Sequence, residues 1–238
     1  MRVAVIDSGV HAAHPHVNGV AGGVGIDLEG REHDDFVDRL GHGTAVTAVI
    51  REKAPLAEIL AIKVFDRELS ASGRALVAAC EWALKHQARL LNLSLGTLNG
   101  DHEAALIQVV AHAQAAGAVI VAAGPEPDRR WLPGSIPGVW RVTLDWRLPR
   151  DRCRAQIVEG NPKGLPLHKE VPPYVEIRAS GFPRPIPGGP SERNLKGLSF
   201  AVANATGLLA ALFHERLGEV VPIELLSRAM TEGWGTSS

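Results

Sequence analysis

Three side chains of this 238-residue sequence are of the types that together perform nucleophilic catalysis. They are Asp7, His42 and Ser199, and each stands beside small residues. A serine hydroxyl is nearly inert alone, so a histidine must accept its proton and a carboxylate must orient that histidine. Each residue by itself is more typical of a turn, a surface position or a helix N-cap. Their order along the chain, Asp then His then Ser, is one that known serine hydrolases use, and it favours a hydrolase.

Apolar runs alternate with segments of helical period, and this alternation predicts the elements that position those side chains. Strands are predicted at Val3–Ile6, Glu58–Val64, Leu90–Leu93, Ala118–Ala122 and Trp140–Thr143. Helices are predicted at Gly41–Arg51, Ser70–His86, Asp101–Ala116 and Ser199–Leu217, with a last helix from Pro222 to about Met230. The strands are almost continuously apolar, so both faces of the sheet should be covered. The pattern predicts an α/β fold with a doubly wound, mainly parallel sheet and helices on both faces.

Small and polar residues follow the predicted strands, where an open parallel sheet binds its ligands. Asp7 follows the first strand, and the segments Ser94–Gly96 and Ala123–Gly124 follow two others. His42 and Ser199 stand near the starts of helices, where free backbone N–H groups can face developing negative charge. We therefore expect these residues to meet at one edge of the sheet.

Proline content and the N-terminal sequence bear on domain organisation. Nine of the 16 prolines lie between Pro149 and Pro190, so residues 147–197 are predicted to be a Pro/Gly-rich loop region with a few short strands, such as Tyr174–Ile177. No repeat or linker divides the chain, and residues 1–238 are expected to form one domain. The N-terminus meets charge too early to predict a signal peptide, and no prosegment is expected before Asp7.

Charge and cysteine content exclude several classes of protein. The 25 Lys and Arg against 26 Asp and Glu give a net charge of −1, which argues against a nucleic-acid or anionic-membrane partner. No continuous apolar run approaches the roughly 18 residues of a membrane span. The two cysteines, Cys80 and Cys153, are too few for a disulfide framework. They predict reduced thiols in a cytoplasmic protein.

Five segments together resemble the subtilisin-like serine protease family, in the family's order and over nearly the whole chain. They are Val5–Val10, Gly41–Thr44, Asn92–Gly96, Val121–Gly124 and Gly197–Ala201. The resemblance implies that Asp7 orients His42, that His42 is the general base, and that Ser199 is the nucleophile. It implies a serine endopeptidase of the subtilisin-like α/β fold that needs no cofactor.

The same resemblance implies how a peptide binds. An extended peptide should add as a strand to one wall of the P1 pocket, the pocket for the residue before the cleaved bond. The implied binding residues are Ser94, Leu95 and Gly96 on that wall and Ala123 and Gly124 on the opposite wall. Glu126 follows the second wall, which favours a basic or polar P1 residue. The tryptophans Trp131, Trp140 and Trp146 are expected to pack in the fold or to line the cleft.

The sequence departs from the family's pattern at the oxyanion hole. Pro125 replaces the usual asparagine, and proline offers neither an amide side chain nor a backbone N–H. Leu198 replaces the usual threonine before the nucleophile, and Ala203 and Asn204 replace a usual proline and histidine. The backbone N–H of Ser199 remains. Loss of one oxyanion donor costs about 10²–10³ in kcat in subtilisin.

Three interpretations fit these departures. The chain is a slow protease for one committed substrate; or a partner, the substrate or a residue such as Asn194 completes the oxyanion hole; or the chain is a pseudoprotease that binds peptide as an adaptor. The retained Asp, His and Ser favour the active forms. The resemblance is greatest to small cytoplasmic subtilisin-like enzymes of bacterial peptide-maturation systems, which implies removal of a leader peptide from a modified precursor, with a possible maturation complex as partner.

Three further patterns are of types that bind a metal ion or a phosphate, but each fits an ordinary loop or turn better. They are the histidines His11, His14 and His16, the acidic residues Asp34, Asp35 and Asp38, and the glycine-rich segment Gly19–Gly25. The histidines suit zinc, but His14-Pro15 matches an ordinary loop of the family. The acidic residues lack the ligand spacing of a calcium loop, which favours a solvated turn. The glycines lack the Lys-Ser/Thr of a phosphate loop, so no metal or cofactor is expected.

Overall fold

The first strand lies near the centre of the sheet and contributes side chains to both hydrophobic cores. The computed structural model describes residues 1–66, 71–125, 130–159, 173–185 and 195–216. Strand β1 (Arg2–Asp7) pairs in parallel with strand β4 (Glu58–Lys63) on one side and with strand β5 (Leu90–Leu93) on the other. Val3 and Val5 face one core, while Ala4 and Ile6 face the other. This two-sided burial explains why the strand is continuously apolar.

Nine strands of the described residues form a single sheet in the order β3-β2-β4-β1-β5-β6-β7-β9-β8. The others are β2 (Gly22–Ile26), β3 (Glu32–His33), β4 (Glu58–Lys63), β5 (Leu90–Leu93), β6 (Val119–Ala123), β7 (Trp140–Leu144), β8 (Cys153–Val158) and β9 (Tyr174–Ala179). Pairing is parallel except at the two edges, where β3 and β8 run antiparallel to their neighbours. Because β4 and β5 follow one another in the chain but flank β1, the strand order reverses at β1, where such sheets bind ligands.

Four α-helices cover the two faces of this sheet in the described part of the chain. They are α1 (His42–Lys53), α2 (Gly73–Lys85), α3 (Glu103–Ala115) and α4 (Leu198–Glu215), and a short 3₁₀ helix (Gly100–His102) precedes α3. Helices α1 and α4 pack together in one core, whereas α2 and α3 share the other. The predicted fold class is therefore confirmed. The described residues form one α/β domain with a mainly parallel, doubly wound sheet.

The strand predictions were incomplete at the edges of the sheet. Strands β2 and β3 occupy a region in which no strand was predicted, and β2 contains part of the glycine-rich segment. Within residues 147–197, β9 extends the predicted Tyr174–Ile177, and β8 pairs with it over six residues. Strands β3 and β8 lie at the exposed edges and β2 is rich in glycine, so none of them is a continuous apolar run like the central strands. The predicted last helix from Pro222 lies outside the described residues.

Helix α4 carries Ser199 and is the most apolar helix of the described part of the chain. Its 18 residues have a mean hydropathy of 1.2, enough by length and composition to cross a membrane, and 67% of them are buried inside the protein. Polar residues such as Asn204 and Thr206 interrupt this helix, so it contains no continuous apolar run of that length. Its apolar residues pack against α1 and the sheet, because this helix occupies the middle of one core.

Candidate active site

Asp7 and His42 form a hydrogen-bonded pair at the carboxyl end of β1. Asp7 is the last residue of β1 and His42 the first of α1. Nδ1 of His42 lies 2.7 Å from Oδ1 of Asp7, and this oxygen also accepts the backbone N–H of Ser8 at 2.7 Å. Burial alone would lower the pKa of His42, but the hydrogen bond and charge of Asp7, with the charge of Asp38, raise that pKa above its ordinary value of 6.5. The ring is oriented so that Nε2 is left to exchange a proton.

A second buried carboxylate, Asp38, connects the segments that carry this pair. It accepts hydrogen bonds from Ser8 Oγ (2.9 Å), from Thr44 Oγ1 (2.6 Å), and from the backbone N–H groups of Leu40 (2.9 Å), Gly41 (2.8 Å) and Thr44 (2.8 Å). Burial alone would raise the pKa of Asp38, but these hydrogen bonds outweigh burial and lower it. Ser8 adjoins Asp7, and Thr44 lies two residues after His42. Asp38 is therefore a positioning residue for both.

The interpretation of the three acidic residues as a solvated turn is wrong for Asp38. Asp34 is exposed, and Asp35 pairs with Arg39 at 2.6 Å and with Lys63 at 3.2 Å. Asp38 is 9% exposed. The signal was its position four residues before His42, where a carboxylate can reach the free N–H groups at the start of a helix.

Gly43 allows the start of α1 to approach β1 closely. A Cβ at this position would overlap the carbonyl oxygen of Gly9 and lie 3.2 Å from the Cβ of Asp7. The helix that carries His42 could not sit this near Asp7 with a larger residue there. The glycine after the histidine is thus a geometric requirement of the pair.

Ser199 lies near the start of α4 and is bonded to the end of β5. As the second residue of the helix, it has a backbone N–H with no acceptor inside the helix. Its Oγ donates to the carbonyl oxygen of Ser94 at 3.2 Å, and Ser94 Oγ donates to the Ser199 carbonyl at 3.2 Å. Asn92 Nδ2 donates to Ser94 Oγ at 3.1 Å, and Thr206 Oγ1 donates to Asn92 at 3.0 Å. In this arrangement the Ser199 hydroxyl is bonded to Ser94 rather than to His42.

His42 and Ser199 open into the same cavity, which has a volume of about 480 Å³. The lining residues from the predicted peptide-binding wall are Ser94, Leu95 and Gly96, continued by Thr97, Leu98 and Asn99. The cavity is also lined by Phe65, Ala71, Ser72, Gly73 and Leu76. A cavity that contains the predicted peptide-binding segment and two reactive side chains suits an extended peptide.

The opposite wall predicted for the P1 pocket does not line this cavity. Ala123 is the last residue of β6 and is buried, and Gly124 donates its N–H to the carbonyl of Val142 at 2.8 Å. Pro125 follows them and is partly buried. Glu126 and Asn194 lie outside the described residues, so the basic P1 preference and the role of Asn194 stay predictions.

The three tryptophans differ in where they lie. Trp131 lines the cavity that His42 and Ser199 share. Trp140, on β7, packs edge-on against Phe213, and Trp146 packs against Phe182 with ring centroids 5.0 Å apart. Trp131 is thus the tryptophan at the candidate site.

Both cysteines are free and buried, as the count of two predicted for thiols outside a disulfide framework. Burial raises the pKa of Cys80 to about 12 and raises that of Cys153 as well. A thiol that stays protonated is a poor nucleophile, so neither cysteine competes with Ser199 for that role.

Residues 1–137 match the model of the subtilase family, which is more than half of the chain. The chain belongs to the subtilase family. The matched region contains Asp7 and His42, whereas Ser199 lies beyond it. Family membership therefore rests on the half of the site that the structure builds around Asp38 and the start of α1.

Curated relatives match a little more than half of the chain. A thermostable alkaline protease of Halalkalibacterium halodurans is 33% identical over 152 residues, covering 59% of this chain and 40% of that protein. Subtilisin E of Bacillus subtilis is 34% identical over 132 residues, covering 52% of this chain and 33% of that protein. The matches therefore span less than half the length of these relatives.

Solved structures resemble the chain over nearly its whole length. The prenylagaramide maturation protease PagA has a TM-score of 0.64 at 24% identity, covering 92% of this chain and 78% of PagA. A mutant of the protease domain of PatA has a TM-score of 0.65 at 23% sequence identity, covering 96% of this chain and 85% of that structure. The nisin leader peptidase NisP of Lactococcus lactis has a TM-score of 0.67 at 16% sequence identity, covering 92% of this chain and 79% of NisP. At these identities the likeness establishes the fold.

Proposed function

We propose that this chain is a serine endopeptidase with Asp7, His42 and Ser199 as its catalytic triad. The observation that carries the proposal is the 2.7 Å contact between His42 Nδ1 and buried Asp7, together with the cavity that His42 and Ser199 both line. Membership of the subtilase family supports it, because members of that family are serine peptidases. The two residues that act on the substrate therefore share a groove that accepts an extended peptide.

The proposed reaction follows from the roles of these three groups. Ser199 Oγ adds to the carbonyl carbon of the scissile bond while His42 Nε2 takes its proton, and Asp7 stabilises the imidazolium that forms. As the intermediate collapses, the C–N bond breaks and His42 gives that proton to the leaving amine. Water then attacks the acyl group on Ser199 by the same route and frees the serine.

The Ser199 hydroxyl must first leave its acceptor on Ser94. An incoming peptide that pairs with the segment Ser94–Gly96 presents backbone N–H groups to its carbonyl oxygens. Such a donor competes for the Ser94 oxygen that Ser199 Oγ uses in the structure. Substrate pairing would thereby release the hydroxyl to His42, which couples peptide binding to activation of the nucleophile.

We expect slow turnover, because the site offers few hydrogen-bond donors to the oxyanion. The backbone N–H of Ser199, at the start of α4, is one donor for the developing oxyanion. Pro125 supplies no second donor. In subtilisin, removing one oxyanion donor lowers kcat by about 10²–10³. We propose that the enzyme acts slowly on a dedicated substrate, or that a partner, the substrate or Asn194 supplies the missing donor.

We propose a modified peptide or protein precursor as that substrate, with removal of its leader in the cytoplasm. The solved structures named as a maturation protease and as a leader peptidase, PagA and NisP, share this fold. The near-neutral charge and the two free thiols support a cytoplasmic protein. Within such systems, we propose that the precursor is the crosslinked small subunit of quinohemoprotein amine dehydrogenase, from which this chain removes the leader.

The test is to incubate the purified chain with that small-subunit precursor, with and without its crosslinks, and to follow intact masses. We expect one cut between leader and core with the wild type and none with Ser199→Ala. A casein digest in parallel measures general proteolysis. Cleavage of casein peptides at many sites with an intact precursor would overturn dedicated processing of this precursor but leave the endopeptidase.

A peptide-binding adaptor is the second candidate, and two observations favour it. Pro125 stands in the position of the oxyanion donor, and the Ser199 hydroxyl is bonded to Ser94. If the chain is an adaptor, the wild type and the Ser199→Ala variant bind the precursor with equal affinity, and neither cuts it. Binding measured by calorimetry beside the cleavage assay separates the two functions.

A further inference from the structure

We infer that the indole of Trp131 restricts the residue before the cleaved bond to a small side chain: glycine, alanine or serine. The inference rests on the proposed function, since it concerns the P1 specificity of the same site. It replaces the basic or polar P1 residue that the position of Glu126 favoured. It is carried by the position of Trp131 between the two segments predicted to form the walls of the P1 pocket.

The segment that bears Trp131 connects these two walls. Leu132 pairs with Thr97, each donating its N–H to the carbonyl of the other at 2.9 Å, which places Trp131 beside the end of the peptide-binding wall. Gly134 lies directly against the second wall. A Cβ at Gly134 would overlap the carbonyl oxygen of Ala123 and lie 3.4 Å from the Cα of Gly124. Residues 131–134 therefore contact both predicted walls.

The indole itself lies on Gly96, the last residue of the peptide-binding wall. A Cβ at Gly96 would overlap the indole Nε1 and lie 2.6 Å from its Cε2. The ring thus occupies the position in which a side chain at 96 would begin. Its Nε1 is excluded from solvent and has no hydrogen-bond partner among the described residues, so the polar edge of the ring is turned into the protein.

The backbone of Trp131 is fixed by a turn. Its N–H donates to Ser135 Oγ at 3.1 Å, and the N–H of Ser135 donates to the Trp131 carbonyl at 2.8 Å. Trp131 also lines the cavity, whereas Ala123 and Gly124 do not. An indole held in this place takes up volume that a large P1 side chain would need, because protein interiors are close-packed.

The experiment uses peptide diphenyl phosphonates that differ only in the P1 side chain: glycine, alanine, leucine, phenylalanine or lysine. The rate of covalent labelling, read by intact mass, is measured for the wild type, Trp131→Ala and Trp131→Phe. We expect the wild type to react with the alanine compound about 10- to 200-fold faster than with the leucine or phenylalanine compound, the range that pocket size sets. Trp131→Ala should raise the leucine-to-alanine rate ratio by about 10-fold or more, and Trp131→Phe by less.

The matched control is Trp146→Ala, because Trp146 is half exposed and packs on Phe182 away from the cavity. Its rate ratios should equal those of the wild type. Equal labelling of the wild type by the alanine and leucine compounds would overturn the inference and leave the proposed function intact. Ratios unchanged in both Trp131 variants would do the same. No labelling by any compound would remove the proposed function, and this inference with it.

Discussion

The Asp7–His42 side of the cleft and its Pro125 side are built in different ways. On the first side, two buried carboxylates accept hydrogen bonds from the strand end and from the start of α1. On the second side, β6 is followed by Pro125, which has no backbone N–H, and the segment of Trp131 contacts both predicted walls. We infer that the first half is organised to move a proton, whereas the second half offers little to an oxyanion or to a large side chain.

This difference indicates that the two parts of a hydrolase site can vary independently. The proton-transfer half depends on buried charges, and removing one of their partners leaves polar groups unsatisfied. The oxyanion half depends on single donors, whose loss lowers the rate without disturbing the fold. On the proposed function, the chain keeps all three triad residues while its turnover and specificity differ from those of its relatives.

The largest effect should come from removing the base. His42→Ala deletes the proton acceptor for Ser199, and we expect kcat/KM to fall about 10⁴-fold or more, the scale known for triad residues. His112→Ala is the control, because His112 is exposed and bonded only to Glu81 among the described residues. Peptide hydrolysis rates measure both. Equal rates in the wild type and His42→Ala would contradict the assigned role.

The opposite side should respond to a restored donor. Pro125→Asn adds a side-chain amide and a backbone N–H, and we expect kcat to rise about 10- to 100-fold, part of the known worth of one donor. Pro125→Ala restores the backbone N–H alone and isolates the contribution of the amide. Steady-state kinetics on one peptide substrate give the comparison. Equal kcat for the asparagine and alanine variants would show that this position does not face the oxyanion.

Breaking the network of Asp38 should lower stability. Asp38→Asn removes the charge that several donors share, and we expect a loss of about 1.5–3 kcal/mol in the free energy of unfolding, the worth of hydrogen bonds to a charged group. The pKa of Asp38 is lowered in the folded protein, so its contribution is present above the ordinary value of 3.8 and is lost as the pH falls through the folded value. Urea unfolding between pH 7 and pH 3 measures this.

The matched control for that series is Asp34→Asn, since Asp34 is exposed. It should unfold like the wild type at each pH. The Asp38 variant should lose less stability than the wild type on acidification. A variant with wild-type stability at pH 7 would place Asp38 outside the network that holds the site.

The smallest effect should be on the acid limb of the pH–rate profile. The pKa of His42 is raised above 6.5, and His42 acts as a base only when neutral, so kcat/KM should fall as the pH drops through that raised pKa. Asp38→Asn removes one of the charges that raise it, which should move the limb to lower pH. An unchanged limb in this variant would remove Asp38 from the electrostatics of His42.

The central part of the fold could be predicted from sequence, because buried parallel strands are continuous apolar runs. The same rule missed β2, where glycines replace the apolar residues, and β8, where exposed and buried residues alternate along an edge. Local composition also placed Asp7 and His42 at element ends that the sheet topology then brings together.

Two residues of the site could not be assigned from local pattern. Asp38 looks like a surface acid until the turn around it places Ser8 and Thr44 on its oxygens. Trp131 reaches the cavity through the pairing of Leu132 with Thr97, a contact between segments far apart in the chain. Such contacts depend on the assembled fold, which no single segment encodes.

The most direct test of the central claim is covalent labelling of Ser199. The wild type, His42→Ala and Ser199→Ala are treated with a small fluorophosphonate and their intact masses are compared. The account predicts one adduct on the wild type, absent from both variants. An unlabelled wild type, or an adduct that persists in Ser199→Ala, would contradict a working nucleophile formed by Asp7, His42 and Ser199.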